Sequence, residues 1–150
     1  MYTIGIDSST TNTAIVVLKD GKLESFILIS PTSKDILQRS QEIVLECLKF
    51  LDTYSWQNFK LGIEGASFSS IGMRDKLTML LGAIYYNARL HEFNVSLLPP
   101  TTIKKKFSDN GRADKAEMAT HVPEDVLEKF RGVSTKIDDL VDAYAIARIV

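Results

Sequence analysis

A single cysteine, Cys47, has no partner within the chain, so a disulfide framework is excluded and a reducing compartment is its natural setting. Histidine is scarce too. His91 and His121 lie far apart with no cysteine near either, which argues against a zinc site. No apolar run reaches the ~20 residues a membrane-spanning helix needs. The N-terminus enters a strand at once, so no signal peptide is expected. Neither an internal repeat nor a low-complexity tract is present. An excess of one charge is also lacking: the net charge of −1 argues against a generic basic nucleic-acid binder. What remains is ordinary globular usage, 45% hydrophobic and 25% charged, and residues 1–150 read as one domain large enough to bury a core.

The charge is unevenly placed. Thr101 to Lys115 carries five positive side chains (Lys104, Lys105, Lys106, Arg112, Lys115) against Asp109 and Asp114, a net +3, leaving −4 for the rest. Such polarity suits a basic rim around an acidic pocket.

Thr3–Ile6 is a short β-branched run that fits a buried strand, and it ends on Asp7. A carboxylate at that lip is costly unless something binds it. Ser8 to Asn12 form a polar turn, Thr13 to Leu18 a second strand, and Asp20-Gly21 a two-residue hairpin into a third strand over Lys22–Ile29. Pro31, Thr32 and Ser33 mark the start of a helix predicted from Lys34 to about Tyr54, with Ile43, Cys47 and Leu51 among its regularly spaced apolar positions. Phe59 to Ile63 is a fourth strand and ends on Glu64. Strand, helix, strand describes a crossover, so the fourth strand runs parallel to an earlier one. Ligands gather at the carboxyl ends of such strands, where Asp7 and Glu64 both stand. If strands one and four are neighbours, the two acids are about one strand spacing (~5 Å) apart.

Beyond Glu64, a small-residue loop runs to Met73 and a helix is predicted over Arg74–His91, with Leu77, Leu80, Leu81, Ile84 and Ala88 on one stripe. Val95 to Leu98 is a fifth strand, and Thr102–Phe107 a short basic helix. Two further short helices follow, the second with Pro123 at its first position. The last helix, Lys136–Val150, carries Asp138, Asp139 and Asp142 on one side and is too apolar to lie wholly on the surface. An Asp and a Glu at parallel strand ends, with a pair of Asp on a covering helix, would repel one another unless divalent cations intervene. All-oxygen ligation suits Mg2+ or Mn2+, and two such ions can hold a phosphodiester, activate a water and stabilise a departing 3′ oxygen.

The pattern IGIDSSTTNTAIVV, GIEGASF and KIDDLVDAYAIARI resembles the RuvC-type Holliday junction resolvases, whose fold is ribonuclease H-like: a mixed five-stranded sheet, three antiparallel strands then parallel ones, with helices on both faces. DLVDAYAIA, with two acids three apart, is the most specific piece. The resemblance implies Asp7, Glu64, Asp139 and Asp142 as the catalytic, metal-binding set for two Mg2+, with Mn2+ able to substitute. It implies Lys104 and Lys115 beside the scissile phosphate; the basic run adds Lys105 and Arg112 toward the same rim, and Arg74 is a further DNA-binding candidate. It further implies a homodimer seamed by the Arg74–His91 helix, branched DNA as substrate, and the cytoplasm of a bacterium or phage-infected host as the setting. No helicase partner can be named. Two departures stand out. Ser8-Ser9 replaces a frequent Pro-Gly, which alters the turn without touching the ligand. Ser67 stands where the family keeps a wedge aromatic, with Phe68 next to it, as an apolar tip that suits insertion between base steps.

Two other functions compete. Gly5-Ile-Asp-Ser-Ser-Thr-Thr11 also resembles the first phosphate loop of the actin, sugar kinase and heat-shock ATPase superfamily, but those proteins need a second lobe and a glycine-rich adenosine loop, and the chain has 8 glycines. A non-catalytic binder of branched DNA that retains the acids is the third reading.

Overall fold

The computed structural model describes residues 1–65 and 71–150, the backbone alone for 71–74. Five strands form one sheet: β1 (Tyr2–Asp7), β2 (Thr13–Lys19), β3 (Lys22–Ile29), β4 (Phe59–Glu64) and β5 (Asn94–Leu98), in the order β3-β2-β1-β4-β5. β1, β2 and β3 pair antiparallel, while β4 pairs parallel to both β1 and β5. This is the mixed sheet the sequence predicts. Asp20 and Gly21 turn the β2–β3 hairpin with φ of 51° and 77°, the left-handed pair such a turn requires.

Alternation along the central strands sorts their side chains between two cores. Ile4, Ile6, Ile15, Val17, Leu61 and Ile63 face α1 (Ile36–Asp52) and α2 (Ile71–Leu90). Ala14, Val16 and Leu18 face the other layer: α3 (Pro100–Ser108), α4 (Lys115–Thr120), α5 (Glu124–Arg131) and α6 (Asp138–Ile149). Gly5, Asp7, Gly62 and Glu64 alternate with the first set, so they too face α6.

Several boundaries differ from expectation. Helix α1 begins after Asp35, whose Oδ1 accepts from the backbone N–H groups of Leu37 and Gln38 at 3.0 Å each. That cap satisfies two orphan donors, which Thr32 and Ser33 do not. Pro123 is the residue before α5 rather than its first turn, because its backbone is extended (ψ 141°). Helix α6 starts at Asp138, one turn of the expected helix shorter at most. Within α2, Leu80, Leu81, Ile84 and Ala88 are buried in the chain's own core. That stripe is therefore not a subunit seam. The outward side of the helix instead carries exposed Met79, Tyr86 and Leu90.

Candidate active site

The site is made by how closely α6 lies on the sheet. Gly5 and Gly62 are register partners on β1 and β4. A Cβ on Gly5 would overlap the carbonyl oxygen of Ala143 and stand 2.5 Å from the amide nitrogen of Ala147. A Cβ on Gly62 would stand 2.6 Å from Cγ2 of Ile146 and 3.3 Å from Cβ of Val150. Gly5 thus lets the helix backbone rest on β1, and Gly62 leaves room on β4 for the side chains of Ile146 and Val150.

Periodicity then places the acids. Two residues beyond each glycine, on the same face, stand Asp7 and Glu64. One helical turn before Ala143 is Asp139, and one turn before Ile146 is Asp142. Both rows lead toward the carboxyl ends of β1 and β4, and of the two helix acids Asp142 acts more strongly than Asp139 on Asp7 and also acts on Glu64. Glu64 and Asp142 line one cavity of about 300 Å³, together with Lys104, Lys115 and Asp114.

The acids also feel one another's charge. Burial first, then the charges of Glu64, Asp142 and Asp139, raise Asp7 well above the ordinary carboxylate range, with Lys115 opposing. Glu64 is pushed up to about 7 by burial and by Asp142, against Lys104. Asp142 is pushed up to about 6, chiefly by burial, while Lys115 and Lys104 pull it down. Asp139 is raised as well, again mainly by burial. Asp138 is different: Lys115 Nζ donates to its Oδ2 at 2.9 Å. Among the described residues no hydrogen-bond donor or ion-pair partner reaches Asp7, Glu64, Asp139 or Asp142.

Capping does not explain the set. Asp138 and Asp139 occupy the first turn of α6, where the helix dipole favours an acid. Asp142 lies a turn further in and Asp7 and Glu64 are on strands, so the dipole accounts for none of these three. A donor set of carboxylate oxygens, crowded and poorly partnered, fits a hard divalent cation. As the side chains stand, no three His, Cys, Asp or Glu residues among those described close around a common point. Glu64 and Asp142 share a cavity, and Asp7 and Asp139 are tied to them through charge alone, not as a finished cage.

The other expected residues divide clearly. Lys104 and Lys115 reach the acidic cavity. Lys105 instead turns back on its own loop, its Nζ donating to the carbonyl of Asp109 at 2.7 Å and to Oδ1 at 3.0 Å. Arg112 is exposed in the α3–α4 turn, its amide held by Asn110 Oδ1 at 3.0 Å, and does not join the cavity lining. Phe68, Ser67 and the side chain of Arg74 lie outside the described residues.

Three contributors escaped the sequence. The two glycines had a signal, an isolated Gly inside a strand two residues before an acid. Asp114 lines the cavity while capping α4 through Oδ1 and the N–H of Glu117. Arg39 had no signal at all. Its Nε and Nη2 donate to the carbonyl of Thr10 at 2.9 and 2.6 Å and Nη1 to that of Ser33 at 3.1 Å, clamping the turn that follows Asp7.

The same fold occurs in a Thermus thermophilus RuvC structure, at a TM-score of 0.75 and 22% identity over 99% of this chain and 92% of that one. T. thermophilus RuvC in complex with Holliday junction substrate matches equally, with a TM-score of 0.75 and 21% identity over 99% and 91%. The yeast mitochondrial Holliday junction resolvase matches at 0.60 and 15% identity, over 97% of this chain and 75% of that one. No protein-family model and no curated protein matches the chain. The fold is the ribonuclease H-like one of these resolvases.

Proposed function

We propose that this protein is a metal-dependent endonuclease that resolves Holliday junctions and related branched DNA in recombination and repair, hydrolysing phosphodiesters to leave 5′-phosphate and 3′-hydroxyl ends. The observation that supports this reading is the seating of α6 on Gly5 and Gly62, with Asp142 beside Glu64 in one cavity and Lys104 and Lys115 in its lining. The shared fold with T. thermophilus RuvC, one structure of which holds Holliday junction substrate, supports it.

Asp7 and Asp142 would anchor two Mg2+ (or Mn2+), with Glu64 and Asp139 completing the oxygen set. Such a pair supplies an activated water and charge neutralisation at the leaving oxygen. The chain's own residues do the rest. Lys104 and Lys115 hold the phosphate at the cavity mouth, since each already opposes the negative charge of the acids. Arg39 fixes the turn after Asp7 and so keeps that carboxylate from retreating with its backbone. Asp138 holds Lys115 in place through their ion pair.

A junction has two strands to cut symmetrically, which two protomers about a two-fold axis can do. The exposed Met79, Tyr86 and Leu90 of α2 offer the apolar face for that pairing. The decisive experiment uses an end-labelled four-way junction. Mg2+ should produce paired nicks and chelator should suppress them. No product with either Mg2+ or Mn2+, despite tight binding, would leave the protein a non-catalytic junction binder.

A further inference from the structure

A second cavity, of about 310 Å³, opens on the other side of the α3–α6 pair and shares no lining residue with the first. Lys104 and Asp142 line the acidic cavity, whereas Lys106 and Tyr144 line this one. Two residues along a helix of 3.6 residues per turn is a rotation of about 200°, so Lys104 and Lys106 of α3, and Asp142 and Tyr144 of α6, turn to opposite cavities. The volume is at the lower end of small-ligand sites, ~300–1,000 Å³.

Its chemistry is the reverse of the catalytic one. No carboxylate lines it. Lys106 and Arg148 are its cations, and among the described residues neither has an ion-pair partner. Arg148 Nη1 donates to the carbonyl of Gly21 at 3.2 Å, which ties the guanidinium to the β2–β3 hairpin. A Cβ on Gly21 would stand 2.9 Å from that nitrogen, so the glycine makes room for it. Asp125 acts on the phenol of Tyr144 from outside the lining, opposed by Arg148.

The walls are aromatic. Phe107 has its ring centroid 5.9 Å from that of His121 and 6.0 Å from that of Tyr144, tilted by 56° and 74°. Tyr144 is 3% exposed and packed edge-on by both Phe107 and Phe130, so it forms the floor on which the Phe107 ring stands. His121 Nδ1 lies 3.0 Å from the carbonyl of Glu117 and 3.2 Å from Oγ1 of Thr120, which holds the ring beside Phe107.

We propose that this cavity is a second, non-catalytic site for one nucleoside phosphate unit, its base against the Phe107 and His121 rings and its phosphate between Lys106 and Arg148. Rings offer a face to any base, and the two cations select the phosphate. The unit can come from a strand of DNA already held at the acidic cavity or from a free nucleotide. Only the first source rests on the nuclease reading.

Calorimetric titration of the full chain with dAMP, in chelator, tests the site apart from cleavage. The expected result is binding of dAMP, with adenosine and inorganic phosphate each at least about tenfold weaker, because each lacks half of the recognition. The double variant Lys106→Gln, Arg148→Gln changes two solvent-facing side chains. It should weaken dAMP at least about tenfold, with the melting temperature falling by no more than loss of the single Arg148–Gly21 hydrogen bond entails. Failure of dAMP to bind, equal binding of inorganic phosphate, or undiminished binding by the double variant would each overturn the proposal. Displacement of dAMP by a four-way junction supports the strand as source, and simultaneous binding supports the free nucleotide. Because no cutting occurs in chelator, a negative result here leaves the nuclease reading standing, and an inactive nuclease leaves this site standing.

Discussion

Single residues in the acidic corner carry opposed demands of folding and chemistry. Glu64 is pushed up to about 7 and Asp142 to about 6, so between the ordinary carboxylate range and those values the folded chain retains protons the unfolded chain has lost. Their contribution to stability is full below about pH 4 and disappears as pH rises through about 6 to 7. Metal-free protein should therefore lose melting temperature between about pH 5 and pH 8, and Asp142→Asn should flatten that slope. At pH 8 the same variant should melt no lower than the parent, since it removes a buried charge among like charges. Its cleavage of a junction should fall ~10³-fold or more. A lower melting temperature with retained cutting would make Asp142 a structural residue. Arg39 acts at a distance from the chemistry. Arg39→Leu frees the carbonyls of Thr10 and Ser33. It should slow cleavage roughly tenfold or more while leaving the acid-dependent pH slope of stability in place, whereas a wholly structural arginine would alter melting alone.

Elements explain why those acids stand at one end of the sheet. Helix α6 contacts β1 through backbone, so Gly5→Ala sets a methyl against the Ala143 carbonyl and the Ala147 amide, neither of which can turn aside. Gly62→Ala meets mostly side-chain tips, Ile146 Cγ2 and Leu98 Cδ1, which can shift. Overpacking of this kind costs about 2 kcal/mol, a fall of roughly 4–8 °C for a chain of this size. Gly5→Ala should show that loss and a matching loss of cutting, and Gly62→Ala clearly less of both. Equal effects of the two substitutions would mean that the close approach at Gly5 is not what seats the helix. The strands, the hairpin and the crossover were legible because each leaves a local mark: alternation, Asp20-Gly21, and an amphipathic run between two apolar ones. The acids were legible because each ends a strand or repeats along a helix. Less visible were contacts made between distant segments. Nothing around Arg39 announces Thr10, 29 residues away, and Lys105 and Arg112 look in sequence like Lys104. Only the folded α3–α4 turn separates the lysine that reaches the cavity from the one spent on Asp109.

The whole molecule adds a second side to α2. Its buried stripe belongs to the chain's own core, and Tyr86 and Leu90, 64% and 61% exposed, face outward. Tyr86→Glu should convert a dimer to a monomer in sedimentation analysis and turn paired nicks into uncoordinated single ones, with the melting temperature of the monomer little changed. A parent protein that already sediments as a monomer at micromolar concentration would remove the two-fold account of cutting and leave the acidic site intact. That site is the claim on which the rest depends. Its most direct measurement is an anomalous difference map from crystals grown with Mn2+. The account predicts strong peaks among Asp7, Glu64, Asp139 and Asp142, at about 2.1 Å from their oxygens. A map with no peak there, and the four carboxylates splayed away from one another, would contradict it.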